Sequence, residues 1–241
     1  RPFLMGGREF IILMALLQAL QALAIDSMLP ALGVMSQDLG AHDANQRQLI
    51  VGVFLICSGI GALFPGALAD RFGRKPVLLI CLAGYVIFSL AAALMQDFTA
   101  LLIMRGAAGL VSAGMIVMSS TIIRDRFQGD RMARMQSLVA MVFMIVPMVA
   151  PSLGQAVLLF ADWRWIFGIM AALGVILIAW VVLRLPETLH PEFRQRVEVR
   201  VISRNMWTAL TTRASFGYVF GMALVQGALF GYINSSQQLV A

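Results

Sequence analysis

The sequence predicts an all-α integral membrane protein, and three observations carry that expectation. Sixty per cent of the 241 residues are hydrophobic and only 12% are charged, against about 25% charged in a soluble globular domain. Mean hydropathy is +0.86. The apolar residues gather into runs that can cross ~30 Å of hydrocarbon, which takes about 20 helical residues each. Helices satisfy their own backbone polar groups where no water can reach them.

Seven such spans can be read, at about 10–34, 48–69, 77–95, 100–122, 137–160, 165–185 and 214–234. The first, Phe10 to Val34, carries one acid, Asp26. An ionised carboxylate at that depth costs several kcal/mol, so it is expected to face a bundle interior or a wet cavity. Helical steps back from Asp26 reach Ala22, Ala19 and Ala15, and steps forward reach Pro30 and Gly33. That face of small residues lets neighbouring helices come close. Gln18 either shares the cavity or serves simple helix packing. Arg1, Arg8 and Ala22-Leu23-Ala24 imitate a signal peptide, but Gln18 and Gln21 interrupt its core and more spans follow. The chain opens on Arg1, so part of the native start is expected to precede it.

The formal charge is +6, and its distribution points to topology rather than to nucleic acid. Fifteen of the eighteen Lys and Arg fall at the start, in the second and fourth loops, and in the region from Arg184 to Arg213. The opposite side holds only Arg47 and Arg164, and Arg105 lies inside the fourth span. The positive-inside rule then places the N-terminus and the even-numbered loops in the cytoplasm. The organisation expected is a six-span bundle over 1–185, a cytoplasmic linker over 186–213 and a seventh helix over 214–241, which would open a second bundle. The linker, with Pro186, Pro191 and many charges, can hold an amphipathic surface helix. Cys57 and Cys81 lie within apolar spans and His42 and His190 in separate loops, so neither a disulfide framework nor metal-ligand spacing is present. No cofactor is expected.

The turn between spans two and three reads Gly66-Ala67-Leu68-Ala69-Asp70-Arg71-Phe72-Gly73-Arg74-Lys75-Pro76. Gly66 permits close helix contact. Asp70 can cap the next helix and hold arginines, and Gly73 allows a sharp turn. Arg71, Arg74 and Lys75 anchor the turn on the basic side. This stretch resembles the signature loop of the major facilitator superfamily, a fold of two six-helix bundles, at Gly66, Asp70, Arg71, Gly73, Arg74 and Lys75. The resemblance implies that the aspartate and the basic residues latch the two halves together.

Further stretches resemble the drug:proton antiporters of the Bcr/CflA (bicyclomycin-resistance) branch. Asp26-Ser27-Met28-Leu29-Pro30-Ala31-Leu32 is similar to the first-helix motif. Arg105-Gly106-Ala107-Ala108-Gly109 resembles the fourth-helix motif of proton-coupled members, with Ala108 where a Gln is usual. Pro147, Pro151 and Gly154 resemble the fifth-helix antiporter motif in its two-proline variant. Asp162-Trp163-Arg164-Trp165-Ile166-Phe167 and Leu185-Pro186-Glu187-Thr188 also look like this branch. The resemblance covers the first seven of twelve helices.

Asp26 and Arg105 are expected at similar depth, ~6 Å and ~9 Å to the outer side of the midplane at 1.5 Å per residue. That permits a shared cavity, with snorkelling into the headgroups as the alternative. Gly109, Ser112 and Ser119 continue a small polar face behind Arg105. Pro147 and Pro151 should bend or loosen span five. Met144, on the same face, is a candidate for an adaptable apolar pocket. Trp163 and Trp165 read as interfacial anchors.

The expected function is proton-coupled export of small lipophilic or cationic compounds by alternating access, with Asp26 and Arg105 in proton coupling. Gln18, Ala22, Gly109, Ser112 and Met144 would line the substrate cavity. The expected partners are the lipid bilayer, protons, the solute and a second bundle. Export or uptake of a sugar or amino-acid derivative is the alternative within transport, and a non-transporting membrane component is the alternative outside it. No Ser-His pair, His-Glu zinc pattern or phosphate loop points to an enzyme.

Overall fold

The computed structural model describes residues 5–40, 44–189, 192, 204, 208, 211–212, 215–225 and 227–228. By its contacts the chain divides into two compact units, Arg1–Arg194 and Gln195–Ala241. In the second, an apolar helix covers Ser215–Val225, part of the expected seventh span. Most of the expected linker, and with it any surface helix there, falls outside the described residues, as do His42 and His190.

The first unit is a helical bundle. Helix α1 (Gly7–Asp26) is its most enclosed span, with Leu13, Met14, Leu17 and Leu20 fully buried. Burial of such side chains stabilises by about 1.5–3 kcal/mol each when the alternative is water. Inside a bilayer the gain comes instead from close packing. The helix stops at Asp26, four residues ahead of Pro30. Pro30 has no N–H, so the main-chain carbonyl of Asp26 loses its i+4 donor. The Ser27 hydroxyl donates to the Leu23 carbonyl across the break. The chain then passes through a 3-10 turn, Leu29–Ala31, into α2 (Leu32–Asp38). The single rod expected over 10–34 is therefore two helices with a joint.

The second span is broken as well. Helices α3 (Ala44–Gly61) and α4 (Pro65–Phe72) meet at 45°, whereas the sequence reading ran one span over 48–69. Pro65 occupies the first turn of α4, where a missing N–H is tolerated, and cannot extend the ladder of α3. Gly73, at φ +103°, turns the chain into α5 (Arg74–Leu94). Only a residue without Cβ adopts that backbone readily.

Three long helices complete the unit: α6 (Phe98–Arg126), α7 (Gly129–Phe160) and α8 (Arg164–Arg184). Asp97 caps α6 by accepting the Ala100 N–H at 2.9 Å. Among the described residues five helices are long and apolar enough to cross a membrane, or six spans with the bent α3–α4 pair counted as one. Helix α6 packs between α3 and α5, α8 lies against α5, and α1 runs between α6 and α7. Pro147 and Pro151 sit inside α7 without interrupting it, so the loosening expected there does not become a break. Met144 on this helix is 72% exposed.

Candidate functional site

Asp26 is placed by the end of α1, where the helix is most enclosed and then stops. Its side chain is 4% exposed, so it does not point outward from the bundle. Its carboxyl makes no hydrogen bond or ion pair among the described residues. Gly154 of α7 reaches this joint. A Cβ there would collide with the Ser27 carbonyl oxygen and press on Pro30. The α7 backbone therefore rests directly on the residues that follow Asp26. A glycine is required by that approach.

Arg105 of α6 is 2% exposed and lies across α1. Its Nη2 donates to the Ala24 carbonyl at 3.3 Å and its Nε to the Ile50 carbonyl at 3.5 Å. Its guanidinium stands 4.2 Å from the centre of the Phe54 ring and 5.9 Å from that of Phe167. Such cation–π contacts contribute about 2 kcal/mol when desolvated. Among the described residues no hydrogen bond or ion pair joins Arg105 to Asp26. Arg105 is held instead by two carbonyls and two rings, one carbonyl two residues before the acid.

The other predicted cavity residues divide. Gln18 donates to the Ser119 hydroxyl at 3.2 Å, and Ser119 donates to the Met14 carbonyl at 3.1 Å. This joins α1 to α6. Ala22 is buried on α1. Ser112 is fully buried and donates to the Gly109 carbonyl at 2.7 Å. A Cβ on Gly109 would collide with the Phe54 carbonyl oxygen. Gly109 and Ser112 thus belong to helix packing in this structure, not to the lining of a hollow. The sequence placed them behind Arg105 by helical spacing, and that face is closed by α3.

At the opposite, basic end of the bundle, the signature-loop residues form a clamp. Arg74 pairs with Asp70 at 2.5 Å and with Asp125 at 3.0 Å. Asp70 does not cap α5, as the sequence had suggested. Glu187 does so from the far side of α8, accepting the main-chain N–H of Arg74 at 2.9 Å and of Lys75 at 3.2 Å. A Cβ at Gly73 would lie 2.5 Å from the Glu187 carboxylate, which would have to move off the turn to admit it. Lys75 donates to the Val182 carbonyl at 2.9 Å, and Arg71 lies 5.0 Å over the Phe72 ring. Gly66, read as a close-contact glycine, has nothing within 4 Å of a built Cβ. The role of Glu187 was missed, since its partners lie 113 and 112 residues away in the chain. Gly73 offers the first turn of α5 no side-chain acceptor, and Glu187 supplies one.

A second clamp ties the other end. Arg164 reaches Asp38 at 2.8 Å and Asp162 at 3.0 Å, and Trp163 donates to Asp38 at 3.1 Å. Trp163 is buried, so it is a packing residue and not the interfacial anchor expected. Trp165 is exposed. Among the described residues no group of three or more His, Cys, Asp or Glu could hold a metal ion.

The chain is 33% identical over 226 residues to an uncharacterized MFS-type transporter, YdgK, of Bacillus subtilis, covering 93% of this chain and 56% of that protein. It is 30% identical over 232 residues to a bicyclomycin resistance protein homolog of Haemophilus influenzae, covering 94% and 56%. It is 35% identical over 164 residues to the multidrug resistance protein MdtL of Klebsiella pneumoniae, covering 68% and 42%. The chain thus spans about half the length of the curated relatives it matches. Among solved structures, a peptide transporter, POT, aligns at TM-score 0.64 and 16% identity over 97% of this chain and 53% of that one. The human organic anion transporter TETRAN aligns at 0.61 and 21% over 80% and 51%. The family model described as Major Facilitator Superfamily matches residues 14–239; the chain belongs to that superfamily and is a multi-pass membrane protein.

Proposed function

We propose that this chain is the acid-bearing part of a proton-coupled exporter of small lipophilic or cationic compounds, working by alternating access. The carrying observation is Asp26, a buried carboxyl without a partner, at the point where the first span breaks. Groups of that kind within a membrane mark ion and substrate pathways. Relatives named for multidrug and bicyclomycin resistance support the choice of solute class.

In this reading Asp26 takes up a proton from one side and gives it up when solute enters from the other. Arg105, drawn onto the Ala24 carbonyl, holds α1 against α6 and sets a positive charge near the acid. Gln18 and Ala22 lie along the same helix toward the other side of the membrane. The basic clamp faces the cytoplasm of a cell whose inner membrane holds the protein, with the N-terminus also inside. Residues 1–185 form the first bundle, 186–213 a linker and 214–241 the seventh helix. A second bundle completes the transport path and meets the Asp70 turn. Rocking of the bundles would then expose the site to each side in turn.

The test replaces Asp26 by Asn in the full-length protein, reconstituted in liposomes with solute and proton movement followed together. Loss of proton-driven export, with the melting temperature kept, is expected. Undiminished export that still follows the pH gradient would refute the assignment.

A further inference from the structure

One polar group in the bundle core is half satisfied. Gln21 of α1 is 7% exposed, and its Nε2 donates to the Ser58 hydroxyl of α3. Its Oε1 has no hydrogen-bond partner. Ser58, also buried, accepts that bond, and its own proton meets no acceptor among the described residues. Turning the amide over exchanges the roles of its oxygen and nitrogen, but one end still remains unpaired. A buried polar atom in that state loses its hydration without compensation, at about 1–3 kcal/mol. Gln18, a turn away, shows the contrast. Its bond to Ser119 continues to the Met14 carbonyl, so that chain of hydrogen bonds ends on an acceptor.

The position of the pair is informative. The first span runs Gly7–Asp38, so Gln21 lies ~2 Å from its middle along the helix axis. Binding sites of membrane transporters concentrate at that depth. Oε1 can accept a hydrogen bond and the Ser58 hydroxyl, already bonded to the same amide, can donate one. That is the complement of a group carrying both an N–H and a carbonyl.

We propose that Gln21 and Ser58 form a solute-recognition point that takes a secondary or primary amide. The inference rests on the transport reading above, and it gives that reading a neutral hydrogen-bonding class of solute that Asp26 alone does not select. The amide N–H goes to Gln21 and its carbonyl to Ser58. An N-methylated amide keeps the carbonyl and loses the donor, so the Gln21 oxygen would stay unpaired.

The experiment compares uptake of two uncharged labelled probes into inverted vesicles containing the full-length protein: N-acetylphenylalaninamide and its fully N-methylated analogue. Wild type should favour the first by about tenfold, the discrimination expected of one buried hydrogen bond. Gln21→Leu should abolish the preference by slowing the N–H probe alone, and Ser58→Ala should reduce it. Equal slowing of both probes, or a preference unchanged in Gln21→Leu, overturns the proposal and leaves the pair a packing or water-holding contact. Should Gln21→Leu fail to fold, judged by its melting, Ser58→Ala decides, and an intact preference there overturns it. A wild type that exchanges a cationic dye for protons but moves neither probe removes this site and spares the Asp26 reading. One that exchanges neither removes both.

Discussion

Glu187 accepts the main-chain N–H of Arg74 at 2.9 Å across 113 residues of sequence. It also accepts that of Lys75, so one carboxylate from beyond α8 closes the first turn of α5. The helix dipole favours a negative charge at this end. Replacing an N-cap acceptor costs about 0.5–2 kcal/mol. Glu187→Ala should therefore lower the thermal melting midpoint in detergent, and Glu187→Gln should keep part of the loss back by retaining one acceptor oxygen. Two variants melting like wild type would show that the turn is held by the Arg74 ion pairs alone.

The two aspartates on Arg164 should differ in weight. Both are about half exposed, and exposed pairs contribute roughly 0–1 kcal/mol. Asp38 also accepts the indole N–H of the buried Trp163. Its loss leaves that donor unpaired, at about 1–3 kcal/mol. Asp38→Ala is expected to destabilise more than Asp162→Ala, read from parallel melts. The reverse order would remove Trp163 from the clamp.

Glycine contacts give a sharper contrast. A methyl at Gly154 meets the Ser27 carbonyl directly, while one at Gly66 meets nothing. Overpacking against backbone costs about 1–3 kcal/mol. Gly154→Ala should lower the melting point and Gly66→Ala should leave it unchanged. A Gly66→Ala protein that melts normally but no longer exports would place the work of that glycine outside the first unit.

Arg105→Lys tests how the buried cation is held. A lysine keeps the charge but cannot serve the Ala24 and Ile50 carbonyls in one plane while lying on Phe54. The expected result is a loss of melting stability and of export together, with charge retained. Normal export in Arg105→Lys would mean that charge alone matters.

The spans, their number up to the sixth and the signature turn were legible in the sequence because hydropathy and loop charge are one-dimensional properties. Breaks were harder. Pro30 and Pro65 interrupt helices, while Pro147 and Pro151 do not, and nothing local to a proline separates these outcomes. Pro65 begins a new helix, and the Pro30 joint is propped by α7. The burial of Asp26 and Arg105 was legible, each conspicuous as a charge within an apolar span. Their contacts were not. Helical spacing gave depth but not azimuth, so it could not show that Arg105 lies on the Ala24 carbonyl, and it aimed Ser112 at a hollow when its hydroxyl bonds its own helix. Glu187 and Ser58 were hidden because their partners are remote in the chain.

The joint after Asp26 has a mechanical meaning. Since proline already withholds the donor that would tie the acid's carbonyl to the next turn, pivoting the segment beyond it severs no ladder bond at that carbonyl. The acid therefore sits at the joint itself, and the α7 backbone at Gly154 rests on the turn that follows it.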